Sequence, residues 1–249
     1  MVPGHRLTLA DAGPSPVRVA GPLGTVGPMD VVIAGAHGQI ARLLTPRLVA
    51  RGDRVRGLIR NADHAADLQA DGAEPVVGDL ESADAATVAE VVRGADAIVF
   101  AAGAGPGSGA ARKWTVDHGA AKKLIDAAVA ERVGRYVMVG AQGTDDPPQD
   151  DEVFSVYLRA KAQADEDLRA AGLAHTIIRP TRLTDDPGTG LVHIARHVER
   201  SEVTRDDVAA VVAAVLADDA TIGRTFELAV GTTPVDDVAA AVAALPADA

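Results

Sequence analysis

The chain has 249 residues, 47% hydrophobic but only 2% aromatic, with no cysteine and a formal net charge of -11 at pH 7. That length suits one large domain with a full core, and a core short of aromatics must be filled by Val, Ile, Leu and Ala, the residues that parallel sheets favour. The acidic balance speaks against nucleic acid and anionic membranes as partners, the missing cysteines exclude disulfides and thiolate chemistry, and no run approaches the roughly 20 apolar residues of a membrane span, so a cytoplasmic protein is expected.

Residues 1–28 carry Pro3, Pro14, Pro16, Pro22 and Pro28 among glycines and read as a flexible leader. A single domain is expected over 29–249, with a small substrate-side extension at its C-terminal end and Met29 as a possible true start. Within it, short β-branched runs at 30–34, 54–60, 74–77, 95–101, 135–139, 174–179 and 225–230 read as strands. Helices are expected at about 38–51, 63–71, 82–93, 113–131, 155–171 and 205–217, with Thr204 as a cap and a last helix from Pro234. Gly52, Gly72, Gly94, Gly134 and Gly172 stand near helix ends, where glycine accepts the left-handed conformation. Strand and helix in alternation predict an α/β fold, a Rossmann-type doubly wound parallel sheet with helices on both faces.

The first strand runs into Gly35-x-x-Gly38-x-x-Ala41 and then a helix. That spacing brings backbone amides and a helix N-terminus to where a pyrophosphate would sit, which makes Gly35, His37, Gly38, Gln39 and Ile40 candidate cofactor contacts. The second strand ends in Leu58-Ile59-Arg60 rather than in a carboxylate. An arginine there accommodates a 2'-phosphate, so NADP is expected and NAD is the weaker alternative. Gly78-Asp79-Leu80 and Ala101-Ala102-Gly103 follow the third and fourth strands, at the edge where open α/β sheets bind ligands. Asp79 reads as an adenine acceptor or as a helix-capping carboxylate. Tyr157 and Lys161 are four residues apart on one helix, hence on one face, and can do acid–base work.

Together with Ile178-Arg179-Pro180-Thr181-Arg182-Leu183-Thr184, these residues resemble the short-chain dehydrogenase/reductase superfamily, particularly its atypical, NAD(P)-binding, NmrA-like branch, from roughly Met29 to Ala240. The resemblance implies that Tyr157 exchanges the proton, that Lys161 binds the nicotinamide ribose and lowers the tyrosine pKa, and that Pro180 and Thr181 flank the nicotinamide. It also implies a serine after the fifth strand, where this chain instead has Val139-Gly140-Ala141-Gln142-Gly143-Thr144. Gln142 or Thr144 is the available substitute donor. Three functions are compatible: an NADP(H)-dependent oxidoreductase acting on an unknown small carbonyl, quinone or related acceptor; a non-enzymatic nucleotide sensor with a protein partner; and an epimerase or dehydratase with retained nucleotide. His193 and His197 would share a helical face, but without a carboxylate motif no metal site is expected. The acidic run 145–152 is expected to be a solvated loop.

Overall fold

The structure, a computed structural model, describes residues 27–105 and 107–248; the expected leader lies outside them apart from its last two positions. Eleven strands follow one another: β1 (Asp30–Ala34), β2 (Arg54–Ile59), β3 (Glu74–Val77), β4 (Ala97–Phe100), β5 (Arg135–Val139), β6 (His175–Pro180), β7 (Arg182–Thr184), β8 (Leu191–Ala195), β9 (Glu202–Thr204), β10 (Arg224–Val230) and β11 (Thr233–Pro234). Nine of them form one sheet in the order β11-β8-β10-β6-β5-β4-β1-β2-β3. From β3 to β10 every pairing is parallel, and the strand order reverses between β1 and β4. In an open α/β sheet that reversal leaves a crevice at the carboxyl ends of the strands. This is the Rossmann-type doubly wound sheet expected.

Strands covered on both faces need apolar side chains pointing both ways. Accordingly Val31, Val32 and Ile33 of β1 and Ile98, Val99 and Phe100 of β4 are completely buried. The helices are α1 (Gln39–Arg51), α2 (Ala65–Ala70), α3 (Ala85–Val92), α4 (Ala110–Arg112), a π-helical stretch Lys113–Ala120 that continues into α5 (Ala121–Ala130), α6 (Val153–Ala170), α7 (Arg205–Leu216) and α8 (Val238–Ala243). On one face Leu44 and Leu48 of α1 share a core with Val208, Val211, Val212 and Val215 of α7. On the other, Val88, Val91 and Val92 of α3 pool with Leu124 and Ile125 of α5 and Ala164 and Leu168 of α6.

Several expectations need correction. The helix expected over 113–131 begins at Ala110 and has i→i+5 π-helical bonding through Lys113–Ala120, which rotates its side chains away from the α-helical register. Gly134 does not end it; Arg132 takes the left-handed conformation at φ 56° instead. Strands β7, β8, β9 and β11 were not foreseen, because they run two to five residues and are partly exposed. His193 lies on β8 and His197 in the loop beyond it, so they share no helical face. Thr204 does cap α7, its hydroxyl accepting from the Asp207 amide at 2.9 Å. Among the described residues no helix is long and apolar enough to cross a membrane.

Candidate active site

At the crevice, the turn from β1 to α1 is built so that its backbone lies bare. Gly35 has φ +80°, and a Cβ there would sit 2.7 Å from the Ala102 Cα. Gly38 donates its amide to the Gly35 carbonyl at 2.8 Å and starts α1 with no side-chain cap. The first amides of α1, at Gln39 and Ile40, therefore keep the donors that a helix start leaves over. Ala41 is fully buried, and Gly57 of β2 leaves room for Ala36 and Leu68, which a Cβ there would meet at 2.9 and 2.4 Å. The sheet, α2 and the glycine turn thus close up together.

A cleft of about 400 Å³ opens from this turn, lined by Gly35, His37, Gly38, Leu58 to Asn61, His64, Gly78 to Glu81, Ala101 to Gly103, Val116 and Ala120. Arg60 stands over its rim with 59% of its side chain exposed, 3.5 Å from Glu81. Glu81 is engaged more closely by Arg112, at 2.7 Å, and by the Thr115 hydroxyl, at 2.7 Å. Those two hydrogen bonds hold its carboxyl below the usual range. Beside Arg60, the His37 and His64 rings stack with centroids 3.6 Å apart, and His37 bonds Asp67 at 2.8 Å. His64 and Asn61 were missed in the sequence because nothing local marks them.

Asp79 caps no helix, α3 being capped by Asp84; it closes a local turn, accepting from the Glu81 amide at 3.0 Å and from the Ser82 hydroxyl at 3.4 Å. The loop that carries it is pinned from behind by Lys123, which donates to the carbonyls of Leu80, Glu81 and Ala83.

Next to Ala102 of the cleft lining, Lys161 is buried and donates to the carbonyls of Val139 at 3.1 Å and Ala102 at 3.4 Å. Its partner in charge is Asp117, 3.8 Å away on the π-helical stretch. Burial pushes the Lys161 pKa down against the pull of Asp117 and Asp165. Tyr157 is half-buried, with Phe154 at 5.8 Å and the Lys113 ammonium 5.5 Å from its ring centroid. Burial pushes its pKa above the ordinary tyrosine value, and the Asp117 and Asp165 carboxylates push the same way. The direction is opposite to the lowering that the family resemblance implies, with burial as the largest cause and the two carboxylates adding to it.

The loop after β5 offers no side-chain donor in the serine's place. Gln142 gives its amide to the Val198 carbonyl at 2.8 Å and to Glu227 at 3.1 Å. Thr144 is buried, its hydroxyl within 3.2 Å of the Ala141 carbonyl and 3.3 Å of Asp165. Pro180 is the last residue of β6, and Thr181 directs both amide and hydroxyl to the Leu228 carbonyl, so its polar atoms are spent on the sheet. The acidic run is not wholly solvated either, since Asp145 pairs with buried Arg179 at 2.5 Å. Among the described residues no cluster of His, Asp or Glu is arranged to hold a metal ion.

A Rossmann sheet with a glycine turn at its switch point and a Tyr-x-x-x-Lys helix beside it defines a dinucleotide-binding protein of the atypical short-chain dehydrogenase/reductase type. The pattern of the NAD(P)H-binding family matches residues 35–219, and the chain belongs to that family. It is 38% identical over 208 residues to a Bacillus subtilis protein named as an uncharacterized sugar epimerase, YhfK, covering 83% of this chain and 97% of that one. Among solved structures, a putative NAD-dependent epimerase/dehydratase from Bacillus halodurans superposes with a TM-score of 0.81 at 36% identity, covering 86% and 99% of the two chains. ChuY, named as an anaerobillin reductase of Escherichia coli O157:H7, superposes at 0.68 with 26% identity over 80% of this chain and 96% of its own.

Proposed function

We propose that the protein is a cytoplasmic NADP(H)-dependent oxidoreductase that reduces a small carbonyl, quinone or related acceptor. One observation carries the reading: the glycine turn, Arg60 and Ala102, whose carbonyl Lys161 grips, line one and the same cleft. A dinucleotide laid along it puts its pyrophosphate over Gly35 and Gly38, on the amides of Gln39 and Ile40. Its adenosine half lies near His37, Asp79 and Leu80, and its 2'-phosphate meets Arg60. The nicotinamide reaches Ala101, Ala102 and Gly103, with Pro180 and Thr181 beyond. When bound, NADPH supplies the hydride. Tyr157, protonated and facing the Lys113 side of the site, supplies the proton, and Lys161 binds the ribose.

Calorimetric titration of NADPH and NADH tests this. The wild type binds NADPH tightly; Gly38→Asp abolishes binding of both; Arg60→Ala loses about 1.5–3 kcal/mol for NADPH, roughly tenfold to a hundredfold, and leaves NADH unchanged. With a panel of carbonyls and quinones, NADPH oxidation falls at least about a hundredfold in Tyr157→Phe. Failure of either nucleotide to bind overturns the reading.

The names of the relatives favour a second reading, epimerisation with retained nucleotide. An epimerase returns its hydride, so it would consume no NADPH with any acceptor and would interconvert sugar epimers with catalytic nucleotide.

A further inference from the structure

Adding hydride to a carbonyl throws negative charge onto its oxygen, and donors preorganised around that oxygen supply much of the catalysis. Tyr157 is one such donor. The loop after β5 supplies no second side chain, because the Gln142 amide and the Thr144 hydroxyl are committed elsewhere.

Lys113 lies over the Tyr157 ring. It opens the π-helical stretch, is only 9% exposed, and holds its ammonium 5.5 Å from the Tyr157 ring centroid. An ammonium has three N–H donors, and among the described residues the acceptor bonded to this one is the Gly105 carbonyl at 3.0 Å. The carboxylate one turn along, Asp117, accepts from the Ala104 amide at 3.3 Å with one oxygen and lies 3.8 Å from Lys161 with the other. Phe154, 64% exposed, extends the Tyr157 ring at 5.8 Å into an apolar wall beside the same spot.

We propose that Lys113 is a catalytic residue that donates to the substrate carbonyl oxygen together with the Tyr157 hydroxyl, in the part of the missing serine, and that the acceptor is an aromatic carbonyl compound whose ring rests on Phe154. The inference rests on the reductase reading above. In the step itself the carbonyl carbon gains the hydride of NADPH and its oxygen gains the Tyr157 proton. The C=O π bond is replaced by C–H and O–H bonds, NADP+ is released, and Tyr157 recovers its proton from water. Lys113 keeps all its protons.

Benzoate joins a carboxylate to an aromatic ring and mimics the charged oxygen without reacting. Titrated calorimetrically into the protein with and without NADP+, it is expected to bind the wild type, to bind Lys113→Met at least tenfold more weakly, and to recover in Lys113→Arg. With 4-nitrobenzaldehyde as acceptor, kcat in Lys113→Met falls about 10²- to 10³-fold, with NADPH affinity unchanged and partial rescue by Lys113→Arg. Lys113→Gln serves as the second variant if Lys113→Met does not fold. A wild type that ignores benzoate, or that binds it no better than the Lys113 variants, overturns the inference whatever the nucleotide titrations give. A wild type that neither binds nor oxidises NADPH overturns the reductase reading and with it the catalytic part of the inference, whereas benzoate binding weakened in Lys113→Met still supports Lys113 as the oxygen-binding residue.

Discussion

Asp117 and Lys161 meet at 3.8 Å, both side chains closed to solvent, and the Gly103 backbone leaves only 3.1 Å between a would-be Cβ and the Asp117 carboxylate. Removing one member of a buried pair strands the other charge, which costs about 3–5 kcal/mol. Asp117→Asn preserves the shape and should lose that much stability in urea denaturation. Replacing both, as Asp117→Leu with Lys161→Met, should recover most of it. A loss below about 1 kcal/mol in the single variant would show that the folded protein holds Lys161 neutral.

The raised Tyr157 pKa has a sign that activity can report. Burial, then Asp117 and Asp165, keeps the phenol protonated beyond its ordinary value of 10.0, so the free enzyme holds its acid throughout the neutral range. Reductive kcat/KM, which reports the free enzyme, should stay flat from about pH 6 to 9, while the alcohol-oxidising direction, which needs phenolate, should rise with pH. In stability the same shift acts on the alkaline side: a folded pKa above the unfolded one contributes stability below about pH 10 that is lost as pH climbs through the folded value. A reductive profile that falls with a midpoint near 7 would show that Lys161 poises the tyrosine after all.

Arg112 keeps Glu81 occupied and so leaves Arg60 available at the rim. In Arg112→Ala the freed carboxylate should turn to Arg60 and oppose a 2'-phosphate. For partly exposed charges the expected penalty is about 0.2–1 kcal/mol, up to roughly fivefold in NADPH affinity, with NADH unaffected. Adding Glu81→Gln should restore NADPH binding. Equal weakening of both nucleotides would place Arg112 elsewhere in the site.

Two glycines with nearly the same dihedral separate strain from contact. Gly35, at φ +80°, would push a Cβ into the Ala102 backbone at 2.7 Å, whereas Gly105, at φ +79°, has nothing within 4 Å. Gly105→Ala should cost only the left-handed penalty of about 1–2 kcal/mol. Gly35→Ala adds a clash with backbone that cannot step aside, and should lower Tm clearly further and abolish nucleotide binding. Similar Tm values for the two variants would contradict the close packing of the turn on the loop after β4.

What could be read in advance follows from local physics. Strands β1, β4 and β5 are buried on both faces, so their apolar runs announce themselves, as do the glycine turn with its helix and the i, i+4 spacing of Tyr157 and Lys161. Arg60 was legible from its place at the end of β2. The short strands were not, because β8 is ordered by pairing with distant β10, Glu227 opposite Ala195, rather than by any pattern of its own.

The charges around Tyr157 belong to the same class of hidden fact. Lys113 and Asp117 look like the solvated face of an ordinary helix. The π-helical register turns them inward against α6, and their meeting with Tyr157 and Lys161 joins residues about 40 positions apart. The chain by itself determined the sheet, the glycine turn and the candidate tyrosine–lysine pair, since each rests on neighbouring residues. Only the tertiary structure decided which charges surround that pair, because a buried ammonium or phenol takes its character from whatever long-range packing places within a few ångströms of it.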